Sequence, residues 1–588
     1  MWDNALNHGF KDSGLLNLED FQKYVPIYNR FANITSENVA TFSPPTTKKL
    51  VSVESKYENS FNKFSAKLYG VESKETTTED VFFKFSPLMN PIKYSTGKYV
   101  DVVDKILVLP GLDNRDSVHE NILDMNNSAY VDGYFTYITS GLHDMGFVHG
   151  VKFYGTHLAI QNNYKINVSD DFEFMASSEY FTKNVGKDFD VVNYGNETLS
   201  GKSSTSKFKN RLDISDIVDI SDNIVVNSSE IKTVFLSNAK SGVDGRVHRM
   251  TNDLDKMETV DIKVVDLSEP VNIETDMDGS DTDSDCDDSS CSSNTTQSGE
   301  ESEESSDGDS DDDCDSEEDS DSEEDSDSIF LHINRFPVML ICMENCDNTY
   351  DNYISQTKLS QDEWSSSLMQ IIMTMLTYQE LYGLTHNDLH TNNIMYVKTE
   401  ETYLYYVYGG KSYRVPTYGK IFKIIDFGRA IYTRNNMTFC SNSYSKGEDA
   451  YSQYNMEPYM NPKKPEVLPN MSFDLARLGC SIFDFLVDDI DSLGELIIND
   501  PVVELIADWC NDDSGRNILY KTSGEERYPE FKLYKMIART VHRHTPLAQL
   551  TRPMFSQYLV ECEEMDGLGS GCIVMNIDKM NKLVSGDK

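Results

Sequence analysis

An acid and an amide five residues apart, Asp388 and Asn393, stand in the stretch L-T-H-N-D-L-H-T-N-N-I-M-Y that runs from Leu384 to Tyr396. A second acid, Asp426, stands in K-I-I-D-F-G-R-A, Lys423 to Ala430. A carboxylate can orient an attacking hydroxyl, and an amide oxygen with a further carboxylate can hold magnesium on phosphates, so the set is suited to phosphoryl transfer. Oxygen ligands match that hard cation, which keeps some of its waters and bridges to substrate phosphates. His386 is expected to pack beneath the loop and bond backbone there rather than move protons.

These residues need rigid neighbours. The apolar runs Ile394 to Val397 and Ile421 to Ile425 read as strands, and Gly428 is expected to permit the turn after Asp426. Upstream, Ser360 and Glu363 form a capping box. They open a helix carrying Trp364, Leu368, Ile371, Met375, Tyr378 and Tyr382 at spacings of three and four, which Gly383 closes. Two further strands are expected from Ser60 to Val71 and from Asp80 to Leu88. The second holds Lys84 between Phe83 and Phe85, on the face opposite them. A lysine within an apolar strand is costly unless it meets an anion; the alternative is an edge-strand lysine that reaches solvent. Asn126 to Leu142 reads as a helix, and Phe336 to Cys346 holds a continuous apolar run, Val338 to Met343, as in a strand buried on both faces.

The order H-x-D-x-x-x-x-N followed by D-F-G resembles the catalytic core of the protein kinase superfamily. The long insertion between strands, the D-L-H loop, the aromatic hairpin Tyr403 to Pro416 turning at Gly409-Gly410, and the high Asn and Tyr content look most like the serine/threonine-protein kinases of giant nucleocytoplasmic DNA viruses. The resemblance covers Ser60 to Leu158 and Phe336 to Glu564. It implies an α+β, two-lobed protein kinase-like fold, with a small, mainly antiparallel β lobe and a large helical lobe, and it implies ATP and Mg2+ as cofactors. On that resemblance Asp388 and His390 are the catalytic candidates, Asn393 and Asp426 the metal ligands, and Lys84 the contact to the α- and β-phosphates. Asp132 is the candidate acid for Lys84, with Glu120 its competitor, and backbone groups of Glu344 and Cys346 would meet the adenine. Asp474, in the helix that Ser472 is expected to cap, would bond the catalytic-loop backbone. Leu475, Leu478, Ile482 and Phe485 would line one face of that helix, and Arg552 would pair an activation-segment acid such as Glu466.

The chain also departs from the pattern. No G-x-G-x-x-G lies between Lys49 and Lys84, where Gly70 is the only glycine, so the backbone cannot approach phosphates as closely there. Asn387 replaces the arginine that binds an activation-loop phosphate, His390 replaces a lysine, and there is no clean A-P-E. The resulting reading is an ATP-dependent protein kinase acting on Ser or Thr of protein substrates. The alternatives are a catalytically weak pseudokinase scaffold and a small-molecule kinase, the latter favoured by His390.

Composition sets the frame. Of 588 residues and a formal charge of −46, the segment Asp281 to Ser328 holds 23 acids and no Lys or Arg, half of the total charge. Such a tract cannot bury enough apolar surface to order itself and is expected to be disordered. Serines such as Ser306 and Ser322, each with an acid three residues on, suit acid-directed kinases, and the tract could recruit basic partners. The acidic balance argues against nucleic-acid binding. Scattered cysteines and the lack of a signal peptide or of a long apolar run point to a cytoplasmic protein with no membrane span, in the host cytoplasm or virion if viral. The expected layout is an N-terminal extension (1–50), a small lobe (51–161), an insertion (162–329, acidic from about 275), a last strand and hinge (330–346), a large lobe (347–565) and a low-periodicity tail (566–588).

Overall fold

The computed structural model describes residues 14–58, 60–193, 224–226, 329–529, 531–561 and 572–585. Its first element, β1 (Leu18–Gln22), is an edge strand, within the stretch expected to be an extension. Too short and polar to show an alternating pattern, it is held by pairing to a distant strand. Next come β2 (Lys48–Lys56), β3 (Lys63–Gly70) and β4 (Thr76–Pro87). Helix α1 (Ser128–Ser140) follows, capped by Asn127, whose side chain accepts from the Ala129 N–H. Then comes β5 (Phe153–Asn167), which runs past the expected boundary at 161. Two single-turn helices lead to β6 (Phe189–Asn193), which pairs with β7 (Ile224–Val226). The other apolar runs of the insertion, and the acidic tract with Ser306 and Ser322, lie outside the described residues.

Strand β8 (Ile329–Glu344) starts close to the expected boundary at 330, well before the apolar run Val338 to Met343, and its first half pairs with β5 and β6. The sheet order is β1-β5-β8-β4-β3-β2, antiparallel throughout, with β6 and β7 extending along β8. On one face Phe64, Phe83, Val53, Leu68, Leu340 and Tyr154 form a separate core. The other face receives α1, and a β-carbon added at Gly133 would meet Met339 Cε at 2.5 Å and Ile341 Cδ1 at 3.4 Å. This close approach sets Asp132 beside the strand that carries Lys84.

The second region is mainly helical. Helix α2 (Gln361–Tyr382) has the complete capping box: the Glu363 N–H donates to Ser360 Oγ and the Ser360 N–H to the Glu363 carboxylate. It ends at Gly383, whose φ of +56° is the left-handed conformation that glycine adopts without strain. The helix is buried on every side from Trp364 to Tyr378 rather than along one stripe, as expected of a central core helix. After the loop 384–393, β9 (Ile394–Lys398) leads to a hairpin, β10 (Tyr403–Tyr408) and β11 (Lys411–Pro416), and then to β12 (Lys420–Ile424), the partner of β9. Helices α3 (Phe473–Leu486), α4 (Pro501–Trp509) and α5 (Lys532–Thr540) complete the region.

Three sequence expectations are corrected here. Ser472 precedes α3 but does not cap it: its backbone is already helical and its buried hydroxyl has no hydrogen-bond partner. Phe485, placed on the apolar face of α3, is exposed because it lies at the helix end beyond the packed stripe. Within the tail, described residues 572–585 form regular elements that its low periodicity did not suggest. Strand β13 (Val574–Asn576) pairs in parallel with β10, and α6 (Ile577–Ser585) follows it, docking a segment whose own sequence is too short to show a period. Among the described residues, no helix is long and apolar enough to cross a membrane.

Candidate active site

Lys84 lies on an interior strand, between β3 and β8, with its side chain 12% exposed. Its ammonium meets two carboxylates: Asp132 Oδ2 of α1 at 2.8 Å and Asp426 Oδ1 at 2.9 Å. The partner on the helix is thus Asp132 and not Glu120, which sits in a separate short helix. Asp132 also accepts the Phe427 N–H at 2.9 Å, so one side chain ties α1 to both the lysine and the D-F-G segment. Burial works against the Lys84 ammonium, but the two acids outweigh it and keep it charged above its ordinary range. The acids divide the remaining effect: burial pushes Asp132 up despite Lys84, whereas for Asp426 the attraction of Lys84 overcomes burial and holds the carboxyl down.

Gly428 lies in the expected turn, closed by the Ala430 N–H on Phe427 O at 3.0 Å, but the left-handed conformation falls on Asp426, at φ +63°, and on Asn387, at φ +65°. Such strain persists only where the surroundings impose it. Around Asn387 they do: Asp474, buried at the start of α3, accepts the His386 N–H at 2.9 Å and the Asn387 N–H at 2.7 Å. The Asn387 amide donates to Thr385 O and Arg429 O, and its oxygen accepts the Tyr454 hydroxyl at 2.6 Å. His386 accepts the Asp388 N–H at Nδ1, 3.3 Å, so its Nε2 carries the proton and donates to Ile425 O at 2.9 Å. One histidine therefore joins the catalytic loop to the strand that delivers Asp426.

Asp388 is held by residues that the sequence did not single out. Its Oδ1 accepts the Tyr534 hydroxyl of α5 at 2.7 Å and lies 3.4 Å from Arg429 Nη1. Tyr534 in turn accepts from Arg477 Nε at 3.0 Å, and its ring lies between the Arg429 and Arg477 guanidinium groups, 5.5 and 5.2 Å from its centre. Burial raises the Asp388 carboxyl, but Arg429, His390, Arg477 and the Tyr534 hydroxyl pull it down to about 2. Oδ1 is committed and the group stays ionised, so an acceptor hydroxyl is left to Oδ2. His390 is buried, and desolvation lowers it to about 4 against the pull of Asp388, so it is neutral at pH 7. Asn393 donates its amide N–H to Asp388 O at 2.9 Å, which leaves its side-chain oxygen as the atom that could ligate. Arg429 follows D-F-G directly and could have been noticed. Tyr534 is 146 residues from Asp388, and nothing local marks it.

A cavity of about 260 Å³ opens at Lys84, Asp132 and Asp426, walled by the β2–β3 turn and by β5 and β8. The turn holds Phe61 where glycine-rich backbone was missed, and the Lys56 and Lys165 ammoniums lie 4.5 and 3.7 Å from the centre of its ring. Asp388, His390, Asn393, Glu344 and Cys346 do not line this cavity. The Glu344 N–H is occupied by Lys152 O at 2.9 Å, and its carboxylate pairs with buried Lys423, which ties β8 to β12. Cys346 is buried. Arg552 pairs with Asp508 rather than Glu466, which is exposed in a loop, because the short helix after Arg552 sets it against α4.

The donors fit magnesium in kind: Asn393 and Asp426 offer oxygens, and among the described residues no cluster of three His, Cys, Asp or Glu forms a self-sufficient cage. Two protein ligands completed by phosphates and water is the usual arrangement for this ion. No family model matches the chain. A stretch of 247 residues, 40% of the chain, is 25% identical to uncharacterized protein 098R of Invertebrate iridescent virus 6 and spans 36% of that protein's length.

Proposed function

We propose that the chain is an ATP- and Mg2+-dependent protein kinase with a two-lobed kinase-like fold, transferring the γ-phosphate to Ser or Thr of a protein. The observation that carries this reading is the Lys84 ammonium between Asp132 and Asp426, with Asp426 joined through His386 to the loop bearing Asp388 and Asn393. With nucleotide bound, Lys84 would trade part of its carboxylate contact for phosphate oxygens, and Asp426 and Asn393 would hold a magnesium ion, whose charge would offset that of the phosphates. Asp388 Oδ2 orients the acceptor hydroxyl for in-line attack. The low pKa of Asp388 suits that role, because a loose transition state asks for positioning more than for a strong base.

A second reading, a weakly active scaffold of the same architecture, is favoured by Phe61 in the β2–β3 turn, which offers no glycine backbone to phosphates. Transfer of labelled γ-phosphate to a mixed protein acceptor separates the two. The kinase reading predicts magnesium-dependent transfer that Asp388→Asn abolishes; turnover no higher in the wild type than in that variant rejects it.

A further inference from the structure

Helix α5 serves the site with one face and leaves a charged face unexplained. Tyr534 points inward to Asp388, while Lys535 and Arg539, one helical turn apart, lie on the outer side. Segment 451–471 packs against that side: Arg539 Nη2 donates to Ser452 O at 2.8 Å, and Asn470 donates to Ala538 O at 3.2 Å. Burial lowers the Lys535 ammonium, and the charges of Arg539 and Lys464 oppose it further. Among the described residues neither Lys535 nor Arg539 has a carboxylate within ion-pair distance, although Glu457 and Glu466 lie exposed on the same segment. Arg539 instead spends its guanidinium on two carbonyls, those of Ser452 and Lys535. In a chain of formal charge −46, two adjacent cations, Lys535 and Arg539, with no carboxylate partner among the described residues run against the overall balance. The same segment also exposes Tyr451, Met460, Leu468 and Met471.

Resting on the kinase reading, we infer that this face docks the acceptor, and that the acceptor is a peptide carrying Asp or Glu beside its Ser or Thr. Lys535 follows the residue that touches Asp388, so a hydroxyl seated at Asp388 puts the next residues of an extended peptide, about 10 Å for three, within reach of the cations. Phosphate already present on a neighbouring serine would satisfy the same groups. The overall negative charge repels such a peptide at long range, so its recognition is local.

The test uses the full chain and two fluorescent peptides that differ only in Asp and Glu against Asn and Gln around one serine. Binding is read by anisotropy and transfer by labelled γ-phosphate. The expected result is about tenfold tighter binding and higher kcat/KM for the acidic peptide. In Lys535→Glu/Arg539→Glu that ratio falls to one or below, whereas Lys535→Arg/Arg539→Lys retains it; circular dichroism checks the fold of both variants. Asp388-dependent transfer without acidic preference overturns this inference alone. A preference that survives charge reversal also overturns it. No transfer to either peptide overturns the kinase reading, and the inference with it.

Discussion

Replacing Lys84 by Met tests the charge arrangement without reference to catalysis. Met keeps most of the side-chain length, so the loss is mainly that of the ammonium between Asp132 and Asp426. These carboxylates are 4% and 15% exposed, and removing one partner of a buried ion pair costs about 3–5 kcal/mol. The pH dependence follows from the sign of the shifts. Without Lys84, burial and mutual repulsion raise both folded-state carboxyls above their unfolded value of about 3.9. A group raised in the folded state supports the fold at pH below its unfolded pKa and loses that support as pH rises through the folded pKa. The deficit of Lys84→Met against wild type should therefore be small near pH 4, grow with pH, and reach about 3–5 kcal/mol by pH 8. Urea unfolding of both proteins at pH 5 and pH 8 measures it. A deficit under about 1 kcal/mol, or one independent of pH, would refute the claim that Lys84 neutralises two buried acids.

Other expectations follow from the same structure. Tyr534→Phe removes a hydrogen bond from Asp388, whose depressed carboxyl supports the fold above the unfolded pKa and loses that support as pH falls toward about 2. Its pKa should rise in the variant, moving the acid-side loss upward, and kcat should fall more than the KM for ATP; an unchanged pH profile would contradict this. His149 and His157, near 3, and His332 and His390, near 4, are neutral because they are buried. Their support is present above about 6.5 and is lost as pH falls toward those values, so the urea midpoint should be clearly lower at pH 5 than at pH 7. Gly383→Ala, at φ +56° with open space around it, should cost about 1–2 kcal/mol by thermal melting, through backbone strain alone. Ser360→Ala should cost about 1 kcal/mol by dissolving the capping box.

What the sequence revealed was what local chemistry dictates. The capping box at Ser360, the left-handed Gly383 and the hairpin at Gly409-Gly410 each depend on residues close in sequence, and each is found in the structure. The bonds that Asp474 accepts from the His386 and Asn387 N–H groups span 88 and 87 residues and were implied only by the kinase resemblance. Lys84 could be singled out because a charge in an apolar strand is costly anywhere, and the same resemblance narrowed its partner to one of two acids. Legibility failed where tertiary contact decides. Tyr534 and Arg477 reach Asp388 from separate helices, and their sequences read only as core. Strand β13 owes its form to pairing with β10, which a run of three residues cannot announce. The turn at Gly428 was legible, but the left-handed strain at Asp426, which its surroundings impose, was not.

The central claim, that Lys84 faces the phosphates of a bound nucleotide, is tested most directly by a lysine-reactive acyl-phosphate of ATP, with the modified residue located by mass spectrometry. The account predicts acylation of Lys84 that magnesium-ATP suppresses. An unmodified Lys84, or equal labelling of surface lysines that ATP does not protect, would contradict it.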